Sequence, residues 1–113
     1  MAMGGALAFF KFARIGATKT DMSNLPTYVG EIVAANTTAA EAFIQVFWLA
    51  AASVTLGTTV ADAVIPVPGS GGVVISFMDQ GWKTMGTAWC MAGTTTATGS
   101  TEALIDVSVW RKL

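Results

Sequence analysis

A chain of 113 residues has room for one domain and one core. With no histidine, one cysteine and a net charge of −1, it lacks the means for an imidazole base, an internal disulfide or a dense basic footprint on phosphates. Its residues are 53% hydrophobic and 12% charged, against about 45–50% and about 25% in ordinary soluble domains, which predicts apolar surface held against another chain.

Residues 1–28 open with Gly, Ala and Phe, then turn polar from Thr18 to Asn24 before Pro26. Leu7 to Ile15 reads equally as a strand or as an arm. The apolar piece is short, and Lys11 and Arg14 follow it, whereas a secretory signal carries its charge first. Ala2 occupies the position that myristoylation reserves for glycine. Tyr28 to Ala34 is a strand candidate, broken by Asn36-Thr37-Thr38.

Phe43 to Leu49 has two readings. Thr38 and Glu41 resemble a helix capping box, but the aromatic and β-branched centre suits a pleated surface, and a strand is the favoured reading. The uncharged run Ala42–Ala61 is about as long as a membrane-crossing helix, ~20 residues. Its Gln45, Ser53, Thr55, Gly57, Thr58 and Thr59, and the absence of flanking Lys/Arg clusters, argue against a span.

Val54, Leu56 and Val60 predict one face of a further strand. Ala63, Ile65 and Val67 predict another, which Pro66 and Pro68 require to lie at an edge or to end there. Gly69-Ser70-Gly71-Gly72 predicts a hairpin turn into Val73–Met78. It is no phosphate loop, since the Gly-Lys-Ser/Thr ending is missing. Asp79-Gln80-Gly81 predicts another turn. From Gly86 to Ala92, Thr87, Trp89 and Met91 alternate with Ala88, Cys90 and Ala92. Gly93 to Thr101 is Thr-rich and predicts an exposed loop or hairpin tip. In the last strand Ala103, Ile105, Val107 and Val109 face inward, with Asp106 and Ser108 toward solvent.

Seven or eight short antiparallel strands predict an all-β, jelly-roll-like sandwich over residues 29–113, with residues 1–28 as an N-terminal arm and first strand region packed with it. Chemistry is sparse. Cys90 lies in an apolar run with no histidine to activate it, so it reads as a buried hydrophobe. Asp62, Asp79, Glu102 and Asp106 stand far apart in turns or on exposed strand faces, unlike an acid–base pair. No metal-ligand spacing is present. The expectation is a non-enzymatic protein without cofactor or metal, bound neither to nucleic acid nor to membrane.

The order of elements carries a resemblance. A strand ending near Trp48 leads to Val54-Thr55-Leu56-Gly57-Thr58-Thr59 and then to Val64-Ile65-Pro66-Val67-Pro68-Gly69-Ser70-Gly71-Gly72. Gly81-Trp82, the Thr-rich Ala92–Ser100 and a closing Val107-Ser108-Val109-Trp110 follow. This series resembles small β-sandwich virion proteins of tailed bacteriophages, of the capsid decoration or cement type, over roughly residues 42–110. It departs from them at Ala61-Asp62, where that group carries a proline, and at Trp110, where it carries Tyr.

The resemblance implies a homotrimer or other cyclic oligomer, made in the host cytoplasm and seated on the virion surface against the major capsid protein. Candidate contacts are Phe9, Phe10, Lys11, Phe12 and Arg14 of the arm, and Trp82. The alternative for the three Phe residues is that they complete the domain's own core. A tail, fibre or head-fibre module that binds host glycans is the second reading, with Trp82, Trp89 and Trp110 as stacking surfaces. A small-virus coat protein is the third, disfavoured by the lack of a basic inner face.

Overall fold

The computed structural model describes residues 8–23, 28–76, 83–84 and 89–112. The strands are β1 (Ala8–Ile15), β2 (Thr20–Ser23), β3 (Tyr28–Asn36), β4 (Ala42–Phe47), β5 (Ala63–Val67), β6 (Gly72–Ser76), β7 (Lys83–Thr84), β8 (Trp89–Thr94) and β9 (Ile105–Lys112). They form two antiparallel sheets, ordered β1-β9-β3-β6 and β2-β8-β4-β5. The short β7 pairs with β3 beyond the end of β6, so β6 and β7 occupy one strand position beside β3. The protein is all-β and consistent with a β-sandwich.

Period-two alternation puts the core between the sheets. Ile105, Val107 and Val109 of β9 face Ala42, Ile44 and Val46 of β4, with Trp89 and Met91 of β8 and Ile15 of β1 in the same cluster. The predicted inward face of β9 holds, and the strand reading of Phe43–Leu49 holds as far as Phe47. Strand β3 needs one adjustment. Val29 and Ile32 both lie in the core, yet three residues apart they would point to opposite faces. The register against β9 shifts between Val29 and Glu31, and this bulge at Gly30 turns both inward.

Two expectations are corrected. Val54, Leu56 and Val60 form no strand. A 3-10 turn at Ala51–Ser53 is followed by a turn in which Thr58 N and Thr59 N both donate to Thr55 O, at 3.1 and 2.8 Å. Gly57 takes φ +84° there, which a strand would not. Val54 and Leu56 instead cap the outer side of the second sheet and form a smaller core with Phe47 and Cys90. They cover Cys90 on the outer face of β8, a strand buried along its whole length.

The second correction is at Gly69–Gly72. It is not a hairpin turn, because β5 and β6 belong to different sheets; it is the corner where the chain changes layer. A Cβ on Gly69 would lie 2.1 Å from Ala39 O, so only glycine allows this close approach. As expected for a strand holding Pro66, β5 is an edge, paired with β4 alone.

The membrane-length run Ala42–Ala61 divides into β4 and the capping segment. Among the described residues no helix is long and apolar enough to cross a membrane. The expected turn at Asp79-Gln80-Gly81 lies outside the described residues.

At the corner sits Asn36, only 5% exposed. Its Nδ2 donates to Ala40 O (2.8 Å) and Val67 O (3.2 Å), and its Oδ1 accepts from Thr38 N (2.8 Å) and Thr38 Oγ1 (2.7 Å). One side chain thus ties the β3–β4 loop to the end of β5, with every donor and acceptor matched.

Candidate functional site

The outer side of the β2-β8-β4-β5 sheet carries the most elaborate surface. Segment 48–62 is fastened over it by polar contacts from β2 and its approach. Lys19 Nζ donates to Val54 O, and Ala51 N donates to Asp21 Oδ1 at 2.8 Å. Its base is closed by Asp62, whose Oδ2 accepts from Trp48 N at 2.7 Å and whose N donates to Val46 O at 2.9 Å. Under this cover the Cys90 thiol is pushed up to about 11, first by burial and then by the Asp21 carboxylate, with Lys19 opposing. Cys90 is a buried hydrophobe in a place that suppresses thiolate formation.

The same cover leaves apolar side chains outside. Trp48 is 44% exposed, Leu49 43% and Val60 87%, beside Val64 on edge strand β5. Between the turn at 57–61, Val64 and the loop at Ala97–Thr98 lies a half-open cleft of about 220 Å³, with Gln45 at its floor. Gln45 breaks the apolar run of β4, and that interruption was its signal in the sequence. Being 1% exposed, it must find partners inside: Nε2 donates to Thr94 Oγ1 at 2.8 Å and to Gly99 O at 3.0 Å.

On the other sheet, the Arg14 and Asp106 side chains meet directly across β1 and β9. Nε and one guanidinium NH₂ reach the two carboxylate oxygens at 2.7 and 3.0 Å. The hydrogen bond to Arg14 holds Asp106 below its usual range, and the same bond holds Arg14 above its own. The opposite edge is β6, whose Gly72-Val73-Val74-Ile75-Ser76 contains no charge and no proline, with Val74 62% exposed.

Of the residues singled out from sequence, Arg14 is on the surface in this ion pair. Phe9, Phe10, Lys11 and Phe12 lie in β1, opposite Arg111, Trp110, Val109 and Ser108 of β9. Trp82 lies outside the described residues. Trp89 is fully buried, and its Nε1 has no hydrogen-bond partner among the described residues, so it cannot serve as a stacking surface; Trp110 is half-buried. Among the described residues the exposed Trp is Trp48, which strand patterning concealed by assigning it to the end of an apolar run. No group of three or more Cys, Asp or Glu that could hold a metal ion occurs among the described residues.

Neither a protein-family model nor a curated protein matches this chain. The surfaces themselves are what argue for a function.

Proposed function

We propose that the protein is a non-enzymatic structural component of a tailed-bacteriophage virion, a decoration protein that oligomerises and bridges major capsid protein subunits on the head surface. The observation that carries this reading is the combination of strand pairs. An eight-stranded jelly roll forms when an antiparallel ribbon, its strands paired first with eighth, second with seventh, third with sixth and fourth with fifth, rolls into two sheets. With β6 and β7 counted as one strand, the pairs β1·β9, β2·β8, β3·β6 and β4·β5 are those four. This supports a jelly roll, an architecture that viral capsid proteins share with lectins. The link from architecture to virion is by analogy, joined to the sequence resemblance.

The mechanism would rest on apolar burial and on backbone pairing at an edge. Three of the four edge strands carry features that discourage pairing: Lys11 and Arg14 in β1, Asp21 in the four-residue β2, Pro66 in β5. Strand β6 carries none, which makes it the open template for a neighbouring strand. Its inward Val73 and Ile75 are half-buried, where Ile32 and Ala34 on the adjacent β3 are each 2% exposed. A strand laid against β6 would complete their burial at roughly 25 cal/mol per Å² of apolar area, a gain multiplied over a shell.

Light scattering of the purified chain, followed by co-sedimentation with empty heads of the phage that carries its gene, tests the reading. An oligomer that sediments with heads supports it. A chain that stays in the supernatant at saturating concentration rejects the cement role.

A further inference from the structure

We infer that the cleft over Gln45 is a binding site for a neutral, hydroxyl-bearing ring the size of one pyranose, the terminal unit of a glycan. The floor decides the chemistry. Gly99 O can only accept, so the group 3.0 Å from it must be the Gln45 amide nitrogen. The second Nε2 hydrogen goes to Thr94 Oγ1, which passes its own hydrogen to Thr96 O at 2.8 Å. Both donors of the amide are therefore spent. Oε1 accepts from no donor among the described residues, on a side chain 1% exposed that lines the cleft. Trp89 Nε1 is the one fully buried polar side-chain atom without a partner among the described residues, so Oε1 keeps contact with solvent, and its acceptor sites are open to a donor from outside. A ligand hydroxyl supplies one.

The walls agree with that donor. One is the turn at 57–61, fixed by its own bonds, since Thr59 Oγ1 accepts from Thr55 N at 2.9 Å while Thr58 N and Thr59 N hold Thr55 O. With its oxygen already accepting, the Thr59 hydroxyl keeps its hydrogen to donate. Val60, Val64 and Ala97 present an apolar side for the C–H face of a ring, and Thr58 and Thr98 stand at the mouth. No charged residue lines the cleft, which favours a neutral ligand. A volume near 220 Å³ lies below the ~300–1,000 Å³ typical of drug-sized sites, so it fits one ring and leaves the remainder of a chain in solvent. So few contacts imply a Kd of about 1 mM or weaker for a single site. The site does not depend on the virion role proposed above.

The test is a nitrogen-15 amide-shift titration of the full chain with methyl α-glucoside, methyl β-galactoside, methyl α-mannoside and N-acetylglucosamine, each raised to tens of millimolar. One of these should shift the amides of Gly57–Ala61, Val64, Ala97 and Thr98 in a saturable way. Val64→Arg, a rim substitution on an edge strand, should retain the wild-type spectrum elsewhere and weaken that binding at least tenfold. The inference is overturned by four sugars that leave these amides unmoved, by shifts on another face, or by binding that survives Val64→Arg in a folded protein.

Discussion

Asn36→Ala removes four hydrogen bonds at the corner where the chain changes sheets. Each is worth about 0.5–1.5 kcal/mol net, and stranding a buried partner adds to the loss. Val67 is fully buried, so its carbonyl loses a donor that water cannot replace. Thr38 N and Oγ1 lose a shared acceptor, but Thr38 is only half-buried and recovers part of that loss in water. The sum is about 2–4 kcal/mol, a large share of the ~5–15 kcal/mol that holds a domain of this kind together. With a urea m-value of about 2 kcal/mol per molar, the unfolding midpoint should fall by about 1–2 M. Asn36→Asp keeps the shape and the acceptor but replaces two donors with oxygen opposite two carbonyls; it should cost no less. Thr37→Val is the control. It removes one exposed bond to Leu104 O (2.8 Å) and should cost under about 1 kcal/mol. An Asn36→Ala midpoint within error of Thr37→Val would refute the view that this side chain clamps the corner.

Other expectations concern the cover and the edges. At pH 8 Cys90 should react with iodoacetamide at least about 100-fold more slowly in the folded protein than in guanidinium, because a thiol raised to about 11 has roughly two decades less thiolate than an unperturbed one; equal rates would contradict its burial. The same thiol should make stability fall as the pH climbs above about 8.5, the unfolded value, toward 11, a decline that Cys90→Ala should abolish. Phe47→Ala, at the centre of the smaller core, should cost about 3–5 kcal/mol and expose Cys90 to alkylation. Val74→Lys should leave the unfolding midpoint unchanged at dilutions where both proteins are monomeric, yet shift the chain from oligomer to monomer in light scattering; an oligomer untouched by it would count against β6 as the pairing edge. Asp106→Asn should leave stability within error, since its exposed partner Arg14 is screened by solvent. A large, salt-insensitive loss would mean that the β1–β9 ion pair matters more than its exposure allows.

Strands whose environment is one-sided were readable from sequence. Alternation in β9 gave the inward Ile105, Val107 and Val109, and Pro66 with Pro68 marked β5 as an edge or a strand end. The capping segment was not, because Val54, Leu56 and Val60 satisfy a period of two while burying only the first deeply. Gly57 was the cue that such a strand would be broken, but a single glycine inside an apolar pattern is weak evidence until its φ is known. The corner at Gly69–Gly72 reads as a hairpin in any local window, since which sheet accepts β6 is decided by its non-local pairing with β3. The Gly30 bulge left only a parity mismatch between Val29 and Ile32. For the cleft, Gln45 was visible as a polar residue in an apolar run, yet the walls that make it a site come from residues 12 and more than 50 positions away.

The most direct test of the decoration role is reconstitution. Heads of the phage that carries this gene, stripped of the chain, should lose tolerance to heat or osmotic shock and regain it on addition of the purified protein, with Val74→Lys restoring less. Stripped heads as resistant as intact ones would contradict the account.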